Sequence, residues 1–540
     1  MARPMAASVS VALVALLVFL RVAVLTGFDA VPGFLGDGLF NLAVLEHWYR
    51  VALGAEPWGS PSWFYPVPGG LGMSDALVLL APPYVLARFA GAGPLAGLGL
   101  TQATMAALGI AGMLVFLRRL LGLVWPAALA GAVAFGTGTA VYESLAVGHV
   151  QLLAVELVPW FAAAALVSIR QDQARWPVAA ALVMAGMLST SFYVGWFVGL
   201  ETLVLLVPSL LVCRHALPGW LGRRKAAFAL ALVVLAVALV PFAVLYGPVA
   251  LHAAPRPWAE VASTLPGPAQ LFEARGNALW GAVAEALMPG PAHGGGELGK
   301  GLSWGLTALF LGTLGRLAAG PLVAVAPATR RLALLLGASV LVGWLLMLDL
   351  GGVSLWALVY RWLPGGTGIR SVFRFNLVLA FPVTTVAAIG LDVLWRRTGD
   401  AGAGVVVAGA LTALVMIEQV NLMPNVLSRS RDFALVDAQP PAPAACRSFV
   451  LLPAAPDPAL HRWSRQMVAV LIAQARGIAT LNGYSGMAPP GWALFDPTDQ
   501  AGYRRAIVAW ADAQGVWPGL CGLDPDQRYW FPLIRGELTR

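Results

Sequence analysis

The chain consists largely of apolar segments about 20 residues long, separated by short polar segments. A helix of this length crosses the apolar core of a bilayer, whereas membrane barrels are built from shorter alternating segments. Only helices and closed barrels satisfy their backbone hydrogen bonds inside a bilayer. The sequence therefore predicts an all-α polytopic membrane protein. A hydrophobic content of 59% and a mean hydropathy of +0.77 exclude an ordinary soluble domain.

Basic residues lie in short clusters between the apolar segments. This distribution is typical of cytoplasmic loops, so the net charge of +8 reports membrane topology and does not predict a nucleic-acid partner. Arg3 precedes the first apolar segment, which places the amino terminus in the cytoplasm, and we expect that first span to be uncleaved. The first predicted partners are therefore membrane lipids.

Residues 76–89 decide the topology, because they are apolar but short and contain two prolines and Arg88. If they cross the membrane, Arg118 and Arg119 lie outside and every later basic cluster is inverted. If they lie in the interface, all basic clusters are cytoplasmic, and we therefore predict about eleven transmembrane helices. The predicted spans are residues 6–25, 94–117, 121–141, 150–167, 177–188, 192–213, 226–246, 302–314, 332–348, 373–394 and 405–417.

The first external loop, residues 29–75, is long enough to carry structure of its own. Leu39, Leu42, Leu45 and Trp48 recur there at helical spacing, opposite polar side chains. This pattern predicts amphipathic helices that lie along the membrane interface.

Hydropathy falls after Glu418, which predicts a transmembrane domain at residues 1–421 and a small extracytoplasmic α/β domain at residues 422–540. Cys446 and Cys521 fall in this second domain and either form a disulfide, if it is extracytoplasmic, or remain two thiols. The predicted elements are a strand at 448–453 and helices at 466–476 and 502–515.

Four polar residues follow the first span, where a bilayer makes charge costly: Asp37, Asn41, Glu46 and His47. Asp37 is the candidate catalytic residue, because a carboxylate at the water–membrane boundary can act as a base or bind a cation. The alternative is a helix N-cap. For Glu46 we favour a surface ion pair with Arg50, four residues later. His47 either binds substrate or satisfies a neighbouring group.

Further candidates end other external segments. Asp75 is a second site carboxylate or the N-cap of a helix beginning at Ala76. Two acids on one loop allow a divalent cation, although no DxD pair is present and the metal ligands stay unassigned. His149 and Gln151 form a donor–acceptor pair for substrate or a hydrogen bond between helices. Tyr193 faces a sugar or caps a helix end.

Arg370 and Arg374 lie at the outer end of a predicted span, where arginine is disfavoured. A guanidinium group binds phosphate oxygens in a bidentate manner, which predicts a site for a lipid phosphate or pyrophosphate. The alternative is an arginine pair that contacts bulk lipid headgroups.

The order of these parts resembles the C-type (GT-C) superfamily of integral-membrane glycosyltransferases. The resemblance to a bacterial branch is carried by GDGLFNLAVLEHW, FYPVPGGLGMSD, GHVQLLAVELVPW, LSTSFYVGWF, LPGGTGIRSVFRF and NGYSG. It implies an enzyme of the inner membrane that transfers a sugar from a polyprenyl-phosphate donor to a glycan, lipid or protein acceptor at the periplasmic face. Asp37 matches the superfamily's first-loop aspartate, a base or acceptor-orienting group. Where relatives have a second acid, this chain offers Glu143 and His149.

Two other functions fit the same composition. A transporter or flippase for a lipid-linked glycan usually has internal repeats and polar sites at the bilayer midplane, whereas here the polar groups cluster at one face. A non-catalytic cell-envelope assembly protein would have nearly the same sequence pattern. The enzyme hypothesis makes a geometric prediction: Asp37 and the two arginines line one chamber at the outer leaflet.

Overall fold

The computed structural model describes residues 2–213, 217–252, 254–288, 297, 299–398, 402–453, 462–497 and 499–538. These residues are mostly helical, as the sequence predicts. The helices up to residue 252 are α1 (Ala2–Phe19), α2 (Arg21–Leu25), α3 (Asp37–Ala52), α4 (Ala81–Phe89), α5 (Pro94–Leu114), α6 (Trp125–Gly136), α7 (Thr139–Ala146), α8 (Val158–Arg170), α9 (Arg175–Thr190), α10 (Phe192–Cys213), α11 (Leu217–Ala238) and α12 (Val240–His252).

In the second half of the chain, long apolar helices are likewise separated by short helices. They are α13 (Trp258–Ala262), α14 (Gly281–Leu287), α15 (Trp304–Ala318), α16 (Pro327–Met347), α17 (Trp356–Trp362), α18 (Phe375–Arg397), α19 (Ala403–Ile417), α20 (Arg429–Asp432), α21 (Ala434–Asp437), α22 (Arg462–Arg476), α23 (Gln500–Gln514) and α24 (Arg535–Leu538).

Five helical stretches of the described residues are long and apolar enough to cross a membrane, and a sixth is added if the pair Gly219–Ala238 and Val240–His252, bent by 57°, is one span. Two shorter apolar helices, Val9–Phe19 and Ala403–Ile417, coincide with other predicted spans. The total of eleven stays a prediction. The five stretches are Pro94–Leu120, Val150–Arg170, Phe192–Leu210, Pro327–Met347 and Val372–Arg397.

Helix α18 lies at the centre of the bundle. It packs against α6, α15 and α16. At its amino-terminal end the ring of Phe375 stacks on Phe197 of α10, with ring centroids 5.3 Å apart. This buried helix begins directly after Arg374, and so holds Arg374 and nearby Arg370 at one end of the bundle.

The predicted first external loop, residues 29–75, is fixed to the chain that follows α19. Strand β1 (Ala30–Pro32) pairs antiparallel with β2 (Val426–Ser428). Helix α3 begins five residues after β1 and packs against α22. Helix α4 has nine residues, which is too short to cross a bilayer and fits the predicted interfacial position of residues 76–89.

The carboxy-terminal part contains a four-stranded sheet of β3 (Ser448–Leu451), β4 (Ala479–Thr480), β5 (Leu520–Asp524) and β6 (Tyr529–Pro532). The strand order is β4-β3-β5-β6, in which only the β5–β6 pair is antiparallel. Helices α22 and α23 cover the two predicted helical segments. Cys446 and Cys521 form a disulfide, with their Cα atoms 5.7 Å apart. The domain boundary after residue 421 stays a prediction.

Candidate active site

One cavity of about 740 Å³ collects most of the residues that the sequence analysis selected. Its walls come from the start of α3, the end of the first external loop, α10, α12, the segment before α18 and a loop after β4. Asp37 and both arginines therefore line one chamber, as predicted. The predicted residues on its surface are Asp37, Asn41, Asp75, Gln151, Tyr193, Arg370 and Arg374.

Asp37 is the first residue of α3, and the residue at the cap position is Gly36. Its carboxylate accepts a hydrogen bond of 2.7 Å from the hydroxyl group of Tyr484 and lies 3.4 Å from Nε2 of His149. The side chain keeps 41% of its surface exposed. Asp37 therefore does not act as an N-cap, and its carboxylate is open to the cavity.

A close backbone approach places His149 beside Asp37. Gly148 has φ +91°, and a Cβ atom at this position would lie 2.5 Å from the backbone nitrogen of Gly38. Only glycine allows both the left-handed conformation and the contact. Asn41 fixes the same junction, because its side-chain amide donates to the carbonyl group of Gly148 and to Gln151 Oε1, at 2.8 and 3.0 Å.

His149 is uncharged in this arrangement. Its Nε2 lies 3.1 Å from a terminal nitrogen of Arg374 and 3.4 Å from a carboxylate oxygen of Asp37. Burial, together with the positive charge of Arg374, lowers the pKa of His149 to about 4, so the ring stays uncharged at neutral pH.

Asp37 is ionised at neutral pH. Burial opposes its charge, but the polar contact with His149, the hydrogen bond from Tyr484 and the charge of Arg374 outweigh burial and lower the pKa of the carboxyl group below its ordinary value. Burial and the neighbouring carboxylate raise the pKa of Tyr484, which therefore remains a donor. The pair presents a charged acceptor to the cavity.

The two arginines meet a carboxylate that the sequence analysis did not select. Glu297 accepts from Nε and a terminal nitrogen of Arg374 at 2.9 and 2.6 Å, and from Arg370 at 3.3 Å. The guanidinium group of Arg374 also lies over the ring of Tyr193, 4.8 Å from its centroid. Burial disfavours charge on Glu297, but Arg374 dominates and holds the pKa of this carboxyl group far below its ordinary value.

Asp75 is a helix cap, but of a different helix from the predicted one. Its carboxylate accepts from the backbone N–H of Phe192 at 2.9 Å and from the hydroxyl group of Ser191 at 3.3 Å, at the start of α10. The next helix along the chain begins only at Ala81. Burial raises the pKa of Asp75 despite these hydrogen bonds.

Glu46 and His47 are not among the residues that line the cavity, and their predicted roles in substrate binding stay predictions. Glu46 pairs with Arg88 at 2.9 Å and not with Arg50, which binds Glu56 at 2.8 Å. His47 is fully buried and contacts Glu56 through Nδ1 at 2.5 Å. Its Nε2 lies 2.9 Å from the carbonyl oxygen of Trp58. Partners elsewhere in the loops satisfy both side chains.

Comparison with solved structures identifies the fold. The arabinofuranosyltransferase AftD from Mycobacteria superposes with a TM-score of 0.53 at 14% identity, over 97% of this chain. The Archaeoglobus fulgidus oligosaccharyltransferase in its apo form gives 0.51 at 13% identity, over 95% of this chain and 69% of its own. Both are membrane glycosyltransferases of the C-type fold. The chain has the GT-C fold.

The chain spans 35% of the length of the arabinofuranosyltransferase, and at these identities the likeness extends to fold alone. No family model and no curated protein matches the sequence. The predicted resemblance to the GT-C superfamily is confirmed at the level of fold, and the chain is a membrane protein.

The described part of this GT-C chain contains no group of three His, Cys, Asp or Glu side chains arranged to hold a metal ion. Asp75 bonds the start of α10, and the groups nearest to Asp37 are His149 and Tyr484. The predicted divalent cation therefore has no ligand set among these residues. Cation charge in the cavity is supplied by Arg256, Arg370 and Arg374.

Two residues were missed, Tyr484 on the cavity wall and Glu297 beside the two arginines. Tyr484 belongs to NGYSG, a motif quoted only for its resemblance, and its place beside Asp37 depends on a partner 447 residues away. Glu297 stands in a glycine-rich segment without a recognisable motif. The remaining wall is largely apolar and comes from α12, with Phe242, Ala243, Tyr246, Val249 and Ala250.

Proposed function

We propose that this protein transfers a sugar from a polyprenyl-phosphate-linked donor to an acceptor hydroxyl group at the periplasmic face of the bacterial inner membrane. One observation carries the proposal. An ionised carboxylate, Asp37, and two arginines, Arg370 and Arg374, line a single cavity with an apolar wall from α12. A phosphate, a prenyl chain and a proton acceptor are the groups that such a reaction must bring together.

The arginines bind the donor's phosphate, because planar guanidinium groups match its oxygens in pairs. Asp37 takes the proton from the acceptor hydroxyl group while that oxygen forms a bond to the anomeric carbon. The bond between the anomeric carbon and the phosphate oxygen breaks, and its electron pair leaves with polyprenyl phosphate. Negative charge grows on that phosphate, where Arg370 and Arg374 stabilise it in the transition state.

Two features support the periplasmic side. A disulfide such as Cys446–Cys521 persists in oxidising compartments and is rare in the cytoplasm. The carboxy-terminal part that holds this disulfide also supplies Tyr484 to the cavity, so both lie on the same side of the membrane. We therefore place residues 422–540 in the periplasm.

The test is sugar transfer by the Asp37→Asn variant in proteoliposomes that contain a polyprenyl-phosphate sugar donor. Loss of a positioned base lowers rates by about 10²- to 10⁴-fold, so we expect transfer to fall by at least about hundredfold. Asp349→Asn is the matched control, because Asp349 accepts from the backbone N–H of Gly352 between α16 and α17 and does not line the cavity. Full activity of Asp37→Asn would reject Asp37 as the base, whereas absence of transfer by the wild type would favour a transporter or scaffold.

A further inference from the structure

The Glu297 carboxylate lies against the two arginines that line the cavity. It forms a bidentate pair with Arg374, lies 3.3 Å from Arg370 and is 3.8 Å from Nε2 of His149. This is the geometry in which guanidinium groups bind phosphate oxygens. A donor phosphate and Glu297 therefore compete for the same hydrogen-bond donors.

Charge in the cavity argues against both anions binding together. The cavity beside Glu297 is lined by the carboxylates of Asp37 and Asp75. Glu260, which contacts Arg256 and Arg370, adds another at the rim. An extra anion placed beside Glu297 would meet like charges in a partly buried site, where repulsion is strong. Exchange of one monoanion for another leaves the net charge unchanged.

We infer that the Glu297 carboxylate is a built-in substitute for the donor's phosphate, and that the donor binds by exchange with it. This inference rests on the proposed function and names the ligand more closely. The exchange favours a monoanionic phosphodiester, in which one phosphate links the prenyl chain to the sugar. A diphosphate would bring at least one further negative charge next to Asp37.

Buried Arg374 makes the exchange reciprocal. Only 5% of its side chain is exposed, and Glu297 is the carboxylate it contacts directly among the described residues. Removal of Glu297 without a replacement anion would leave a buried guanidinium group poorly compensated. The resting protein is thus kept stable by Glu297, and the donor takes over the same role when it binds.

The test uses the full chain in nanodiscs and two probes with the same tail. Methyl farnesyl phosphate is a monoanionic phosphodiester, and farnesyl diphosphate is a polyanion. We expect the wild type to bind the diester about tenfold more tightly, and Glu297→Gln to bind both probes at least about tenfold more tightly than the wild type. Asp349→Asn is the matched control, since it removes a carboxylate that bonds the backbone of Gly352 and does not line the cavity, and should change either affinity less than about twofold.

Equal or weaker binding of the diester by folded Glu297→Gln would overturn the inference. If that variant does not fold, hydrogen exchange in the wild type decides. Binding of the diester should speed exchange at the backbone amides around Glu297 and Lys300, and unchanged or slower exchange rejects the model. Neither measurement depends on sugar transfer. If the diester displaces Glu297 but the protein transfers no sugar, only the proposed function is rejected. If the protein transfers sugar but the diester does not displace Glu297, only this inference is rejected.

Discussion

The two ends of α3 place similar polar residues in different surroundings. At its amino-terminal end, Asp37 is held by Tyr484 and remains 41% exposed to the cavity. Toward its carboxy-terminal end, His47 is fully buried and Glu46 is paired with Arg88. Polar side chains next to a bilayer are therefore of two kinds. Some form their hydrogen bonds and ion pairs within the protein, and others remain accessible to a ligand. Only the second kind is expected to carry chemistry.

The largest expected effect concerns the cavity at the amino-terminal end of α3. Substitution of Arg370 and Arg374 together by lysine keeps both charges but removes the planar groups that grip phosphate in pairs. We expect the KM for the donor to rise about hundredfold, with the KM for the acceptor nearly unchanged. Steady-state kinetics with each substrate varied in turn measures both constants. Equal changes in the two would assign the arginines a structural role.

The next effect concerns the carboxy-terminal end of α3, where the polar side chains are paired within the protein. His47→Ala removes two buried contacts and leaves Glu56 without one of its partners, so we expect a loss of about 3 kcal/mol in the free energy of unfolding. Thermal unfolding in detergent measures the loss. Transfer per folded molecule should stay normal. A variant as stable as the wild type, or a selective loss of catalysis, would erase the distinction between the two ends of α3.

The smallest effect sharpens the role of Tyr484. Tyr484→Phe removes the hydrogen bond that stabilises the charged form of Asp37, so the pKa of that carboxyl group should rise. Because the reaction needs the ionised form, activity is lost as pH falls through this pKa. The acidic limb of the rate profile should move upward by about one pH unit, with about a tenfold lower rate near it. An unmoved limb would mean that Tyr484 does not act through Asp37.

The sequence predicts elements whose signals are local. Helix α10 begins and ends at the predicted residues; its start is marked by a polar break, STS, that precedes a mostly apolar segment. The predicted span 121–141 is instead divided between α6 (Trp125–Gly136) and α7 (Thr139–Ala146), since glycines and threonines at the junction end the first helix. Hydropathy averaged over a window does not detect such a break.

The candidate site was predictable as a set of residues but not as a set of contacts. Polar groups at external ends of spans identified Asp37, Arg370 and Arg374 without any knowledge of their distances. The predicted hydrogen-bond and ion-pair partners were wrong where the observed partners lie far apart in sequence. Asp75 caps a helix that begins 117 residues later, and Glu46 binds Arg88 instead of Arg50. Spacing rules describe neighbours within a helix, whereas the packing of distant loops decides these pairs.

The pairing of β1 with β2 has a consequence for biosynthesis. Asp37 follows β1 by five residues, yet β2 is translated almost 400 residues later, and Tyr484 later still. The ribosome must therefore synthesise every predicted span before Tyr484 can pack against Asp37, the first residue of the site to be made. Chains that end before β2 would insert into the bilayer but would be inactive. In a time course of synthesis, activity should therefore appear after membrane insertion.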